Sequence, residues 1–168
     1  GRPLTRREDH RFLTGQGRYL DDIVVPGALH AHFVRSPYPH ARIVAIDAAA
    51  ARAAPGVKVV VTGHDLTAWT TPYRMAPPIE GLHPVEFATL PTDKVRFIGD
   101  PVACIAATDR YLAEDAAELL VVDYDELPPV TGMAGALAPG APLVDEAVPG
   151  NLVSHQHFTA GDPARRFA

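Results

Sequence analysis

The chain is short of the features that usually announce chemistry or location. It has one cysteine, Cys104, in 168 residues. That excludes an intrachain disulfide framework and suits a reducing, cytoplasmic setting. No apolar run reaches the length that spans a bilayer, and no charged-then-apolar leader opens the chain, so neither membrane insertion nor secretion is expected. Positive charge is scarce: the formal net charge of −5 argues against a nucleic-acid surface, which needs a basic face. Only the opening is clearly basic, with Arg2, Arg6, Arg7, Arg11 and Arg18. Residues 1–22 read as an N-terminal arm, solvated or docked on a partner.

Recognisable active-site patterns are missing as well. Ser36 and Ser154 have no G-x-S-x-G context, so nothing supports a hydrolase. Gly15-Gln16-Gly17 is too short for a phosphate cradle and lacks the flanking strand and helix. Gly99-Asp100-Pro101 is turn chemistry. Two His-x-His pairs, His30/His32 and His155/His157, would place both imidazoles on one face of a strand. No cysteine or carboxylate at a fixed offset completes a four-ligand metal set, so an exposed polar face is the better account. Cys104 sits in an apolar run without a neighbouring base, which raises a thiol pKa; it is expected to be buried and inert. Asp123, Asp125 and Glu126 have no partner in sequence for acid–base work and read as a solvated strand edge. No catalytic, cofactor-binding or metal residue is assigned.

Hydrophobic content of 47% and charged content of 21% are those of an ordinary globular protein. The length suffices for one compact domain with a sizeable core, placed at residues 23–150. Proline is abundant, 17 residues, about twice the average usage of roughly 5%. It punctuates the chain at 72–91, 128–129 and 139–149. Residues 67–92 form the longest connection, with Trp69, Tyr73 and Phe87 among the prolines. A loop of this length is functional or disordered, and its aromatics point to packing on a partner subunit or neighbouring domain.

Two strand–helix–strand units emerge between these breaks. In the second, Val102 to Ala107 is an unbroken apolar run, the pattern of a strand buried on both faces. Thr108 or Asp109 caps a helix with Leu112, Ala116, Leu119 and Leu120 on one face and Arg110, Glu114, Asp115 and Glu118 on the other. Leu120 to Tyr124 is the closing strand, stopped by Pro128-Pro129. In the first unit, Ala41 to Asp47 is a strand, Asp47 caps a short alanine-rich helix, Pro55-Gly56 ends it, and Val57 to Thr62 is the next strand. Ahead of both, Leu29, Ala31 and Phe33 alternate with His30 and His32 as a half-buried strand. An α+β fold is expected, a mixed sheet with helices packed on it.

The residue order is also specific. Lys94-Val95-Arg96-Phe97-Ile98-Gly99-Asp100-Pro101-Val102-Ala103 resembles the V-R-(Y/F)-V-G-(E/D)-P-V-A segment of molybdenum hydroxylase large subunits, the xanthine dehydrogenase, aldehyde oxidase and carbon monoxide dehydrogenase superfamily. Glu114 to Leu119, followed by Val122-Asp123-Tyr124-Asp125-Glu126-Leu127-Pro128, resembles a further segment of that family. So do Arg7-Glu8-Asp9 with Arg11 to Gly15, Gly17-Arg18-Tyr19 with Asp21-Asp22-Ile23, and Phe33 to Pro37 with His40 to Ile43. Ala138 to Val144 and Pro149-Gly150-Asn151-Leu152 complete the series. The motifs run in order over nearly the whole chain.

The resemblance implies an N-terminal α/β-hammerhead domain ahead of the molybdopterin-binding domains. Residues 151–168, with Gly161-Asp162-Pro163, would then be a connector toward a molybdenum-binding domain. It implies a complete enzyme that hydroxylates a carbon centre, or oxidises carbon monoxide, with oxygen from water. Its cofactors would be molybdopterin in the cytosine dinucleotide form, [2Fe–2S] clusters and FAD, and its partners iron–sulfur and flavin subunits or domains. In such an enzyme this chain is a scaffold and subunit-contact domain. The alternative is a free-standing α/β binding or adaptor module without enzyme activity.

Overall fold

The computed structural model describes residues 1, 3–158, 160–162 and 165. Arg2 of the basic arm and Pro163 of the connector motif lie outside them. A short helix α1 (Asp9–Leu13) comes first, and a single 3-10 turn, Leu20–Asp22, follows. The main fold then begins with strands β1 (His30–Arg35) and β2 (Ala41–Asp47). Next come helix α2 (Ala49–Ala53), strand β3 (Val57–Thr62) and the one-turn helix α3 (Gly63–Leu66). Three short strands follow, β4 (Tyr73–Met75), β5 (Val85–Phe87) and β6 (Lys94–Val95). Strand β7 (Pro101–Ala107), helix α4 (Arg110–Glu118), strand β8 (Val121–Glu126) and helix α5 (Met133–Ala136) complete it.

Both strand–helix–strand units form, but their strands do not share one mixed sheet. The strands make two three-stranded sheets, β1-β7-β3 and β6-β2-β8, and a two-stranded ribbon, β4-β5. Every pairing among the described residues is antiparallel. Each unit therefore sends one strand to each sheet. β3 pairs with β7 and β2 with β8, so the two units interlock. The reason is partly chain length: a parallel crossover needs a dozen or more residues, and only residues 48–56 join β2 to β3.

The core lies where the two helices meet the first sheet. Ala48, Ala51, Val60, Ala103, Ile105, Ala116 and Leu120 form one buried cluster. Small alanines on α2 and α4, Ala51 and Ala116, let these two touching helices approach closely. A second cluster of Ala41, Val95 and Val102 joins the sheets, with the Tyr38 and Tyr124 rings tilted beside it at 5.1 Å. Asp109 caps α4 by accepting the Tyr111 N–H at 2.8 Å, as its side chain and position suggest. Among the described residues no helix is long and apolar enough to cross a membrane.

Four local expectations change. Leu119 is 47% exposed rather than core; the buried residues of α4 are Ala113 and Ala116, which centres the inward stripe on the far side of Ala116 and leaves Leu119 at its margin. In β1 the alternation is reversed. Leu29, Ala31 and Phe33 face outward, while His32 and Val34 turn toward the helices. In β7, Cys104 is only half-buried. The 67–92 segment is not structureless either: it folds back as the β4–β5 ribbon, with Tyr73 opposite Phe87 and Arg74 opposite Glu86.

Candidate functional site

A groove of about 720 Å³ opens between the β4–β5 ribbon, the β6–β7 turn and the segment from α5 to Val153. Its walls are mainly apolar, including Val85, Phe87, Phe97, Met133 and Val148. Phe87, Phe97 and Met133 are exposed by half or more.

The polar residues at this groove hold the walls in place. Lys94 is 3% exposed, and its Nζ donates to both carboxylate oxygens of Glu146 at 2.7 and 2.8 Å. Those bonds hold the Glu146 carboxyl below its ordinary value. Arg96 donates through Nη1 to the Lys94 carbonyl at 3.1 Å and lies 3.5 Å from Asp93 and 3.8 Å from Asp145. Its buried Nε has no hydrogen-bond partner. Asp100 accepts the Arg96 backbone N–H at 3.0 Å. Burial pushes the Asp100 carboxyl up, against the opposing pull of that N–H and of the Arg96 charge.

The sequence motifs meet in pairs in space. The Ser36 N–H donates to the Asp100 carbonyl at 2.9 Å, and the Gly99 N–H donates to the Ser36 carbonyl at 2.9 Å. Arg35 Nη1 donates to the Gly99 carbonyl at 2.9 Å. Gly99 has φ +87°, a conformation natural to glycine. His40 is buried, pairs through Nδ1 with the Pro128 carbonyl at 3.0 Å, and accepts the Leu127 N–H on its own carbonyl at 2.9 Å. Asn151 stands at φ +57°. Its Oδ1 accepts from the Val144 N–H at 2.9 Å, and its Nδ2 donates to the carbonyls of Ala136 and Pro142 at 3.0 and 2.9 Å.

The residues weighed for chemistry are not brought together. His30 and His32 share a face of β1, while His155 and His157 are exposed outside any strand. Among the described residues no three His, Cys, Asp or Glu side chains cluster as a metal site. Asp123, Asp125 and Glu126 are exposed on β8. Burial raises the Cys104 thiol pKa. Ser36 serves as a turn clamp, its Oγ bonded to both the N–H and the carbonyl of Tyr38 at 3.0 Å. The Lys94–Glu146 pair was invisible in sequence, because the partners lie 52 positions apart. Asn151 stands in a sequence motif, but its bonds to residues 136, 142 and 144 come from the fold.

The groove does not suit a phosphate-bearing cofactor. Glu86, Asp100 and Asp145 line it, and its lining cation, Arg96, is engaged between Asp93 and Asp145. Carboxylates so placed repel a pyrophosphate.

Against known proteins, residues 14–128 match the family described as "Aldehyde oxidase and xanthine dehydrogenase, a/b hammerhead domain". The carbon monoxide dehydrogenase large chain of Hydrogenophaga pseudoflava is 43% identical over 94% of this chain and 20% of its own length. The quinoline 2-oxidoreductase structure from Pseudomonas putida 86 is 44% identical with a TM-score of 0.84, covering 90% of this chain and 19% of that one. A structure of a Cu,Mo-CO dehydrogenase, 42% identical, has a TM-score of 0.75 over 86% of this chain and 18% of its own. The chain belongs to the α/β-hammerhead domain family of aldehyde oxidases and xanthine dehydrogenases. It spans about a fifth of the length of the curated relatives it matches.

Proposed function

We propose that this chain is the scaffold and subunit-contact domain of the large subunit of a molybdenum hydroxylase. The observation that carries this reading is the use made of the motif residues. Ser36, His40, Gly99, Asp100 and Asn151 are all occupied in holding turns and joining distant segments. A catalytic set would leave several reactive atoms converging on an open space; in this set His40 Nε2 alone is a buried side-chain atom without a hydrogen-bond partner. No residue of this chain is assigned a catalytic, cofactor-binding or metal-ligating role.

In this reading residues 1–22 are an arm, 23–150 the hammerhead domain and 151–168 the connector to a molybdenum-binding domain of the same subunit. The apolar groove and its exposed rim, Phe87, Phe97 and Met133, contact that domain or the iron–sulfur and flavin components. Molybdopterin in its cytosine dinucleotide form, [2Fe–2S] clusters and FAD belong to those other parts. The whole enzyme would be cytoplasmic and would oxidise a carbon centre with oxygen from water.

The test is purification of the complete protein containing this sequence from its natural host, with metal and flavin analysis. Molybdenum, iron and flavin in a heteromeric complex are the expected result. A complex without them would favour the adaptor module, and molybdenum bound stoichiometrically by these 168 residues alone would contradict the scaffold role.

A further inference from the structure

The first sheet, β1-β7-β3, has helices on one side only. Ala103, Ile105 and Val60 face α2 and α4 in the core, and α4 touches all three strands. The opposite side is defined by register. Phe33 and Val61 both lie opposite Cys104, and Ala31 and Val59 both lie opposite Ala106. These six residues form one surface whose one weakly polar group is the Cys104 thiol, with the Arg35 guanidinium 5.9 Å over the Phe33 ring at its edge. Phe33 and Val59 remain 43% and 42% exposed, Ala31 is exposed, and Val61, Cys104 and Ala106 are half-buried.

An antiparallel sheet with one face in water alternates apolar and polar residues; strands buried on both faces are apolar at every position. β7 has the second pattern from Val102 to Ala107, and β3 has it over Val59-Val60-Val61, between Lys58 and Thr62, yet the fold covers only one side. We infer that this open face is a buried interface in the complete protein, covered by an apolar surface of the following domains of the same large subunit. This rests on the function proposed above.

Two observations select that occupant. About four-fifths of the length of the matched relatives lies outside the region this chain covers. The six residues carry no charge, and the cation beside them, Arg35, lies over the Phe33 ring at 5.9 Å and donates to the Gly99 carbonyl. An apolar face of this kind has the character of a core cut in half and of permanent contacts, whereas exchangeable interfaces are more polar. The second sheet differs, with Arg42, Asp123 and Asp125 exposed along β2 and β8.

The test uses the complete complex, with the photo-crosslinker p-benzoylphenylalanine at position 33 and, separately, Ala31→Cys. Irradiation is expected to join position 33 to a peptide of the same polypeptide outside these 168 residues, without a shift to dimer mass. The cysteine at position 31 should react with maleimide at least about tenfold more slowly in the native complex than after unfolding. Crosslinks to a second copy or to another subunit overturn the inference, as does labelling at the unfolded rate. Molybdenum analysis of the same sample separates the two failures: a molybdenum-containing complex with an open face defeats only this inference, and its absence defeats the domain assignment.

Discussion

Lys94 and Glu146, separated by 52 positions, close on each other through two hydrogen bonds of 2.7 and 2.8 Å. The pair is unequal: the lysine side chain is 3% exposed and the glutamate side chain 69%. Water still reaches the carboxylate, so the ammonium is the member that depends on its partner. Glu146→Gln should lower stability by about 1–3 kcal/mol, since a buried charged donor loses a charge-assisted acceptor. Lys94→Met, which removes the buried charge while keeping volume, should cost less. Urea unfolding of both variants checks the order; equal losses would mean that Lys94 needs no counter-charge.

Acidification should weaken the fold through two carboxyls and be partly offset by a third. Glu146 is held below its ordinary value first by the Lys94 bonds, and Asp65 first by the Thr62 N–H. Both contribute stability that is present above the unfolded pKa and lost as pH falls through the folded one. Asp100 is raised by burial, so its contribution runs oppositely, present at low pH and lost as pH rises. Denaturation midpoints between about pH 5 and pH 3 should fall in the parent. They should fall less in Glu146→Gln and more steeply in Asp100→Asn; parallel curves would contradict the assignment.

Gly63 opens α3 against the 90–91 backbone. A β-carbon there would collide with the Pro91 carbonyl oxygen and meet the Leu90 oxygen at 2.7 Å. These atoms are backbone, which cannot yield as a flexible side chain would. Gly63→Ala should therefore destabilise by about 1–3 kcal/mol despite its better helix propensity. An unchanged melting temperature would show that residues 90–91 move freely.

Ala116 and Leu119 separate core from surface on α4. Ala116 is fully buried and Leu119 is 47% exposed. Ala116→Asp should cost several kcal/mol, as an unpaired buried charge does, while Leu119→Asp should change stability by about 1 kcal/mol or less. Thermal melts of the two variants test the boundary of the helix face.

Asn151 ties three segments with one side chain. Asn151→Ala removes bonds to Val144, Ala136 and Pro142 and places alanine in a left-handed conformation that asparagine tolerates better. A loss of about 1–3 kcal/mol is expected. Hydrogen exchange should show it confined to residues 136–151, and global loosening would contradict that.

Local order was largely legible in the amino-acid sequence. The limits of β2 and β3, the Asp109 cap and the end of α2 at Pro55-Gly56 follow from apolar runs, side-chain oxygens and backbone-restricted residues, all of which act within a few positions. The ordered motifs also identified the family. Three things needed the tertiary structure: the sheet each strand joins, the inward face of β1, and the charge that answers Lys94. Those depend on which distant segments arrive alongside, and short-range periodicity carries no record of them. The apolar run of β7 lies between these two kinds of information. Its sequence has the pattern of a strand buried on both faces, and only the fold shows that the helices cover one of them.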